Sequence, residues 1–209
     1  MRTMTKTAAA LTVAGAMVLA PLFTGLMTAS DPMVEPSVAN PLQRIDLPTD
    51  WPSGVFHHLS GRRLPMEVGD LRGLIRMVDG TSRRFHLDPL MVLAVIHVES
   101  GFNPYAVSPA GSVGLMQLQV ETARDIAARL GVPFPSEEIL FEPEFNVLLG
   151  TFYLKQLLDR FGDFDLALAA FHAGPTRIAA NNLRLGPASL AYADRVWNVL
   201  LELQSSARA

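Results

Sequence analysis

The chain has 209 residues, a net charge of −3, 49% apolar and 18% charged residues, and no cysteine. Such a composition can fill the core of one domain with extensions and is too apolar for a disordered chain. It excludes disulfide and thiolate–metal scaffolds, and the acidic balance makes the chain a poor candidate for nonspecific nucleic-acid binding.

At the N-terminus, Arg2 and Lys6 precede an apolar stretch from Ala8 to Met27, which ends in Thr28-Ala29-Ser30. Charged, apolar and small-residue parts in that order read as a secretory signal over 1–30. The stretch also approaches membrane-spanning length, although Gly15, Pro21 and Gly25 weaken a spanning helix. A cleaved export signal and an uncleaved N-terminal membrane anchor both stay open, and either places the remainder in the periplasm or cell envelope. Residues 31–64 form a Pro-rich linker or arm, because Pro32, Pro36, Pro41, Pro48 and Pro52 interrupt helix and ladder formation. His57 and His58 lie in this arm with no acidic or histidine cluster beside them and read as solvated.

Residues 65–205 read as an all-α domain. Val68, Leu71, Leu74, Ile75 and Val78 recur at three- and four-residue spacing, one apolar stripe of an amphipathic helix. The next helix opens with Asp88 as N-cap and Pro89 at its first position. Its apolar residues, Leu90 to Val98, run almost all round, so it belongs at the centre of the core. The stretch Ala106–Gln119, rich in Gly, Ser and Pro, has room for a small hairpin at most. Further helices follow in VETARDIAARLG, PEFNVLLGTFYLKQLLDRFG, DLALAAFHAG and SLAYADRVWNVLLELQ. No segment sustains two-residue alternation.

Glu99 closes the central helix. Val95 and Ile96 are its i−4 and i−3 neighbours, so its carboxyl leans over apolar side chains. Desolvation there favours the protonated acid, the state a general acid for glycoside cleavage needs. A carboxylate that caps its own turn or pairs with an Arg satisfies the same position. Metal readings fail. His97-x-Glu99 lacks the paired cysteines of zinc deaminases, no His-Glu-x-x-His is present, and His97 reads as structural.

Three strings in order, ESGFNPYAVSPAGSVGLMQL, NVLLGTFYLKQLL and ALAAFHAGP, resemble the soluble lytic transglycosylases with a goose-lysozyme-like catalytic domain. The resemblance covers about residues 85–200. It implies a lysozyme-like α-helical domain with a glycan-binding groove, no cofactor and no metal, and Glu99 as the single catalytic acid. The implied substrate is the MurNAc-β-1,4-GlcNAc bond of peptidoglycan, cleaved without water to 1,6-anhydromuramyl ends. Ser108, Met116, Gln117, Phe171, His172 and Tyr192 match the family's substrate-binding positions.

The chain also departs from the family. Phe171-His172 stands where the family has Tyr-Asn, so one groove hydroxyl is lost and an amide becomes an imidazole that titrates near neutrality. The Glu-Thr pair often found before the late tyrosine is missing as well. Glu121 or Asp125 could fold into the groove as a second carboxylate, which would suit a hydrolytic muramidase. A noncatalytic peptidoglycan-binding or scaffold protein is the reading from another class. By analogy, the arm would tether the domain to an envelope-spanning secretion or conjugation machine.

Overall fold

The computed structural model describes residues 49–208. The export segment expected at 1–30 and residues 31–48 of the expected arm lie outside them. Eight helices follow one another among the described residues: α1 Trp51–Ser60, α2 Val68–Phe85, α3 Pro89–Ser100, α4 Val120–Leu130, α5 Pro143–Phe161, α6 Phe164–Ala173, α7 Pro175–Ala180 and α8 Pro187–Ala207. None of them is long and apolar enough to cross a membrane.

Helix α1 corrects the reading of 31–64 as an irregular arm. Trp51, Val55 and Leu59 repeat every four residues and are buried against α8. Pro52 sits in the first turn, where its missing N–H has no intrahelical acceptor to lose. The proline density upstream therefore says nothing against a helix here. Gly54 permits the close crossing, since a Cβ there would stand 2.2 Å from the carbonyl oxygen of Ser206. His58, read as solvated, is partly buried, with Nε2 2.9 Å from Oε1 of Glu202 on α8.

Helix α3 is the axis of the domain. All seven residues from Leu90 to Ile96 are buried, and α8, α2 and the rest of the main core enclose them. At roughly 1.5–3 kcal/mol per large apolar side chain removed from water, this one helix anchors the core. Its start is the expected one: Oδ1 of Asp88 accepts from the Leu90 N–H at 2.8 Å. In α2 the expected stripe is buried except Val68, which lies on the first turn and is 55% exposed.

A second, smaller cluster gathers Val113, Leu118, Ala123, Ile126, Leu140 and Leu149 under α4. The expected hairpin is reduced to two isolated antiparallel bridges, Val107–Val113 and Val113–Leu118. Tyr153 and Phe171 pack against both clusters. A groove opens along that seam.

Candidate active site

The groove has a volume of about 560 Å³, and Glu99, Ser108, Gln117, Tyr153, Phe171 and His172 line it. Two backbone devices converge on it. Gly101 ends α3 in the left-handed region (φ 59°), and its N–H closes on the His97 carbonyl at 3.0 Å. Phe102 follows at φ 66°, a strained conformation for a side chain with a Cβ. Full burial and stacking on His97, with ring centroids 5.5 Å apart, hold it there. The chain thus turns back across the end of α3, carrying Ser108 to the groove that Glu99 faces.

Glu99 is half-buried, and its Oε1 accepts a 2.6 Å hydrogen bond from the Tyr192 hydroxyl. Burial pushes its carboxyl above the usual range; the Tyr192 bond and the positive charge of Arg195 oppose that rise. Tyr192 itself is fully buried, and desolvation first, then Glu99, holds its phenol well above its ordinary value. It therefore stays a donor. Tyr192, expected to bind substrate, lies buried behind Glu99 and outside the residues that line the groove, with its hydroxyl on the Glu99 carboxyl.

His172 lies flat on the Tyr192 ring, with centroids 4.4 Å apart and planes 10° from parallel. Desolvation, followed by the Arg195 charge, lowers its proton affinity, so the ring is neutral near pH 7. Phe171 lines the groove without a hydroxyl, but the Tyr153 ring stands 5.4 Å away and carries one. Burial raises the Tyr153 phenol, which remains protonated.

The Ser108 Oγ accepts from the Ser112 N–H at 3.0 Å and so fixes the Ser-Pro turn, leaving its own hydrogen for a ligand. Gln117 is less free than its family position implies. Its Nε2 donates to the carbonyls of Ala106 (3.0 Å) and Gly114 (2.9 Å), which leaves only Oε1 for a sugar. Met116, expected in the groove, is fully buried in the core beneath it, with its thioether against Gly150 and Thr151. A methionine at that spacing is core, as its chemistry alone suggests.

Sequence reasoning missed Asn146, although it holds the turn together. Fully buried on α5, it accepts from the Met116 N–H (2.7 Å) and donates to the carbonyls of Val113 and Leu140 (2.9 Å each). Gly114 makes room for it, since a Cβ there would lie 2.2 Å from the Asn146 amide nitrogen. Tyr153 and Arg195 were also missed, because nothing in their local spacing announces an approach to the groove or to Glu99.

A second carboxylate does not line the groove among the described residues. Glu121 and Asp125 point away on α4, paired with Arg124 and Arg129 at 2.8 Å each. One protonatable carboxyl, backed by a phenol and faced by a serine hydroxyl, is a site for protonating a leaving oxygen and then taking a proton back.

A family model of the transglycosylase SLT domain matches residues 76–186, more than half of the chain. The chain belongs to this family. Membrane-bound lytic murein transglycosylase C of Actinobacillus pleuropneumoniae is 41% identical over 92 residues, covering 43% of this chain and 25% of that protein. The transglycosylase of Enterobacteria phage PRD1 is 37% identical over 97 residues, 46% of this chain and 33% of the phage protein. Among solved structures, an inactive variant of the lytic transglycosylase Slt from Pseudomonas aeruginosa superposes with a TM-score of 0.58 at 26% identity, over 62% of this chain and 24% of that one. The 70 kDa soluble lytic transglycosylase from Escherichia coli gives 0.54 at 25% identity, over 76% and 28%. The SLT-type, lysozyme-like all-α fold expected from the sequence is the fold of this domain. The chain spans about a quarter to a third of the length of these curated relatives.

Proposed function

We propose that this chain is a peptidoglycan lytic transglycosylase that cleaves the MurNAc-β-1,4-GlcNAc bond and leaves 1,6-anhydromuramyl ends. Glu99 gives its proton to the glycosidic oxygen as the C1–O bond breaks. The resulting carboxylate takes the proton of the muramyl C6 hydroxyl while O6 bonds to C1, so no water enters the product. The observation that carries the reading is a desolvated carboxyl that lines the groove with no second one beside it among the described residues. Hydrolysis with inversion would call for a second carboxylate about 6.5–9.5 Å away to activate water, whereas an internal nucleophile needs none.

The Ser108 hydroxyl and Gln117 Oε1 face the same space and supply a donor and an acceptor to the sugar beside Glu99. Phe171 and Tyr153 offer it an aromatic wall. Export by residues 1–30, action in the periplasm or cell envelope, and attachment to an envelope-spanning machine belong to the same proposal. The test is digestion of purified glycan strands by wild type and Glu99→Gln, with products weighed by mass spectrometry. Wild type is expected to yield anhydro ends, one water lighter than reducing ends, and Glu99→Gln to lose at least 100-fold in rate, the span of one general acid. Reducing ends alone would make the chain a hydrolytic muramidase. Equal release by both proteins would leave Glu99 without a catalytic role.

A further inference from the structure

His172 brings a second proton-accepting group to the groove that Glu99 lines. It sits in the last turn of α6, just before Gly174 ends that helix. The residue is exposed, and its ring lies flat on the Tyr192 ring, centroids 4.4 Å apart. A stacked neighbour covers one face of an imidazole, whereas the lone pair of the unprotonated nitrogen lies in the ring plane. The stack therefore fixes the ring and leaves that lone pair uncovered.

Tyr192 also spaces the two groups. Its ring carries His172 and its hydroxyl holds Glu99 at 2.6 Å, so the acid and the imidazole stand a tyrosine's reach apart on one groove. This matches the scale, about 6.5–9.5 Å, at which the acid and base of an inverting glycosidase admit a water between them. The titratable and charged groups around the imidazole are Glu99 from α3, Tyr153 from α5, and Tyr192 and Arg195 from α8. Burial and the Arg195 charge keep the imidazole neutral near pH 7, which makes it a base there. Both tyrosines hold their protons. Glu99 is the group whose charge changes in the reaction. Once it has given up its proton, its carboxylate favours an imidazolium nearby.

We infer that His172 acts as general base for a water in the groove and gives this site a hydrolytic branch, with reducing muramyl ends formed beside anhydro ends. This rests on the proposed protonation of the glycan by Glu99. In both branches Glu99 gives its proton to the glycosidic oxygen as the C1–O bond breaks. In the hydrolytic one, the water oxygen bonds to C1 and one water proton passes to the His172 lone pair. The imidazolium then returns a proton to the Glu99 carboxylate through solvent, so both groups are restored and one water has been added across the bond.

The test is a ratio of products. Glycan strands whose own reducing ends have been removed with borohydride are digested, and new reducing ends and anhydro ends are counted by mass spectrometry. Wild type is expected to form both. The ratio of reducing to anhydro ends should fall at least tenfold in His172→Asn, whatever happens to the total rate, since one general base contributes about 10²–10⁴-fold. In wild type the ratio should also fall between about pH 7.5 and about pH 4.5 as the imidazole takes a proton, and in His172→Asn it should stay flat. Glu99 serves both branches, so its own titration cancels in the ratio. Anhydro ends alone from wild type would overturn the inference and leave the proposed function standing. An unchanged ratio in His172→Asn, or a wild-type ratio indifferent to pH, would overturn it too. So would loss of both products in His172→Asn and His172→Gln at the wild-type melting temperature, which would make His172 a plain groove contact. Reducing ends alone, lost in His172→Asn, would keep the base and overturn the anhydro product, and wild type that forms neither end would overturn both.

Discussion

Replacing Tyr192 by Phe removes one oxygen and isolates what the buried phenol does for Glu99. The hydrogen bond it donates is short, 2.6 Å, and its acceptor is a carboxylate whenever Glu99 is ionised. Bonds to charged groups are worth about 1.5–3 kcal/mol, roughly twice a neutral pair, so the ionised form loses more than the protonated form. The difference of about 1.4 kcal/mol converts to about one pH unit. Glu99 then holds its proton to higher pH, because burial still raises its carboxyl and one of the two opposing influences is gone. In a pH series of initial rates on purified glycan, the alkaline limb of kcat/KM should move up by about one pH unit. Arg195→Met should move it in the same direction, since the Arg195 charge also opposes the rise. Arg195 is exposed, so its effect should shrink in high salt while that of Tyr192→Phe persists. An alkaline limb that stays in place or moves down in Tyr192→Phe would refute this account of how the acid is tuned.

Asp88 makes stability pH-dependent. Burial raises its carboxyl from 3.8 to about 6 against two backbone hydrogen bonds, and its Oδ2 has no partner. A carboxyl raised in the folded state contributes fully at pH values below 3.8, and that contribution is lost as pH rises through about 6. Asp88→Asn keeps the cap acceptor without the charge. It should gain about 1–2 kcal/mol in urea unfolding at pH 7.5 and nothing near pH 3.5; an equal gain at both would rule out the buried charge as its cause. Gln117→Glu sets carboxylate oxygens against the carbonyls of Ala106 and Gly114, which now receive the amide hydrogens. It should cost about 2–3 kcal/mol of stability, read by thermal melting, together with activity. A pure rise in KM at unchanged melting temperature would return Gln117 to the role of a plain substrate contact.

Much of the fold was legible from local signals. Asp88-Pro89 marked the start of α3, the apolar run behind it marked a central helix, and Gly162 marked the end of α5. Helix α1 escaped because the prolines before it outweighed a short repeat of Trp51, Val55 and Leu59. The small helix α7 escaped because six residues are too few for a period to show. At the site, the position of Glu99 after an apolar helix pointed to a desolvated acid, and the motif resemblance brought Ser108, Phe171 and His172 to the same groove. Met116 and Gln117 were adjacent in one motif and received similar roles, yet one is core and the other braces its own turn. Adjacent residues in a tight turn point in different directions, and only the packed partner, here Asn146 and Gly150, decides which faces the groove.

By itself the sequence determined six of the eight helices among the described residues, the buried axis and the placing of an acid at its tip, because periodicity, caps and turn residues act over a few neighbours. Tertiary structure decided what surrounds that acid. Tyr192 reaches Glu99 across 93 residues, Arg195 acts on both, and Asn146 pins a turn 30 residues before it. It also turned Glu121 and Asp125 outward, leaving one carboxyl to line the groove among the described residues. Proton affinity depends on desolvation and on charges a few ångströms away in space, and neither is a property of local sequence.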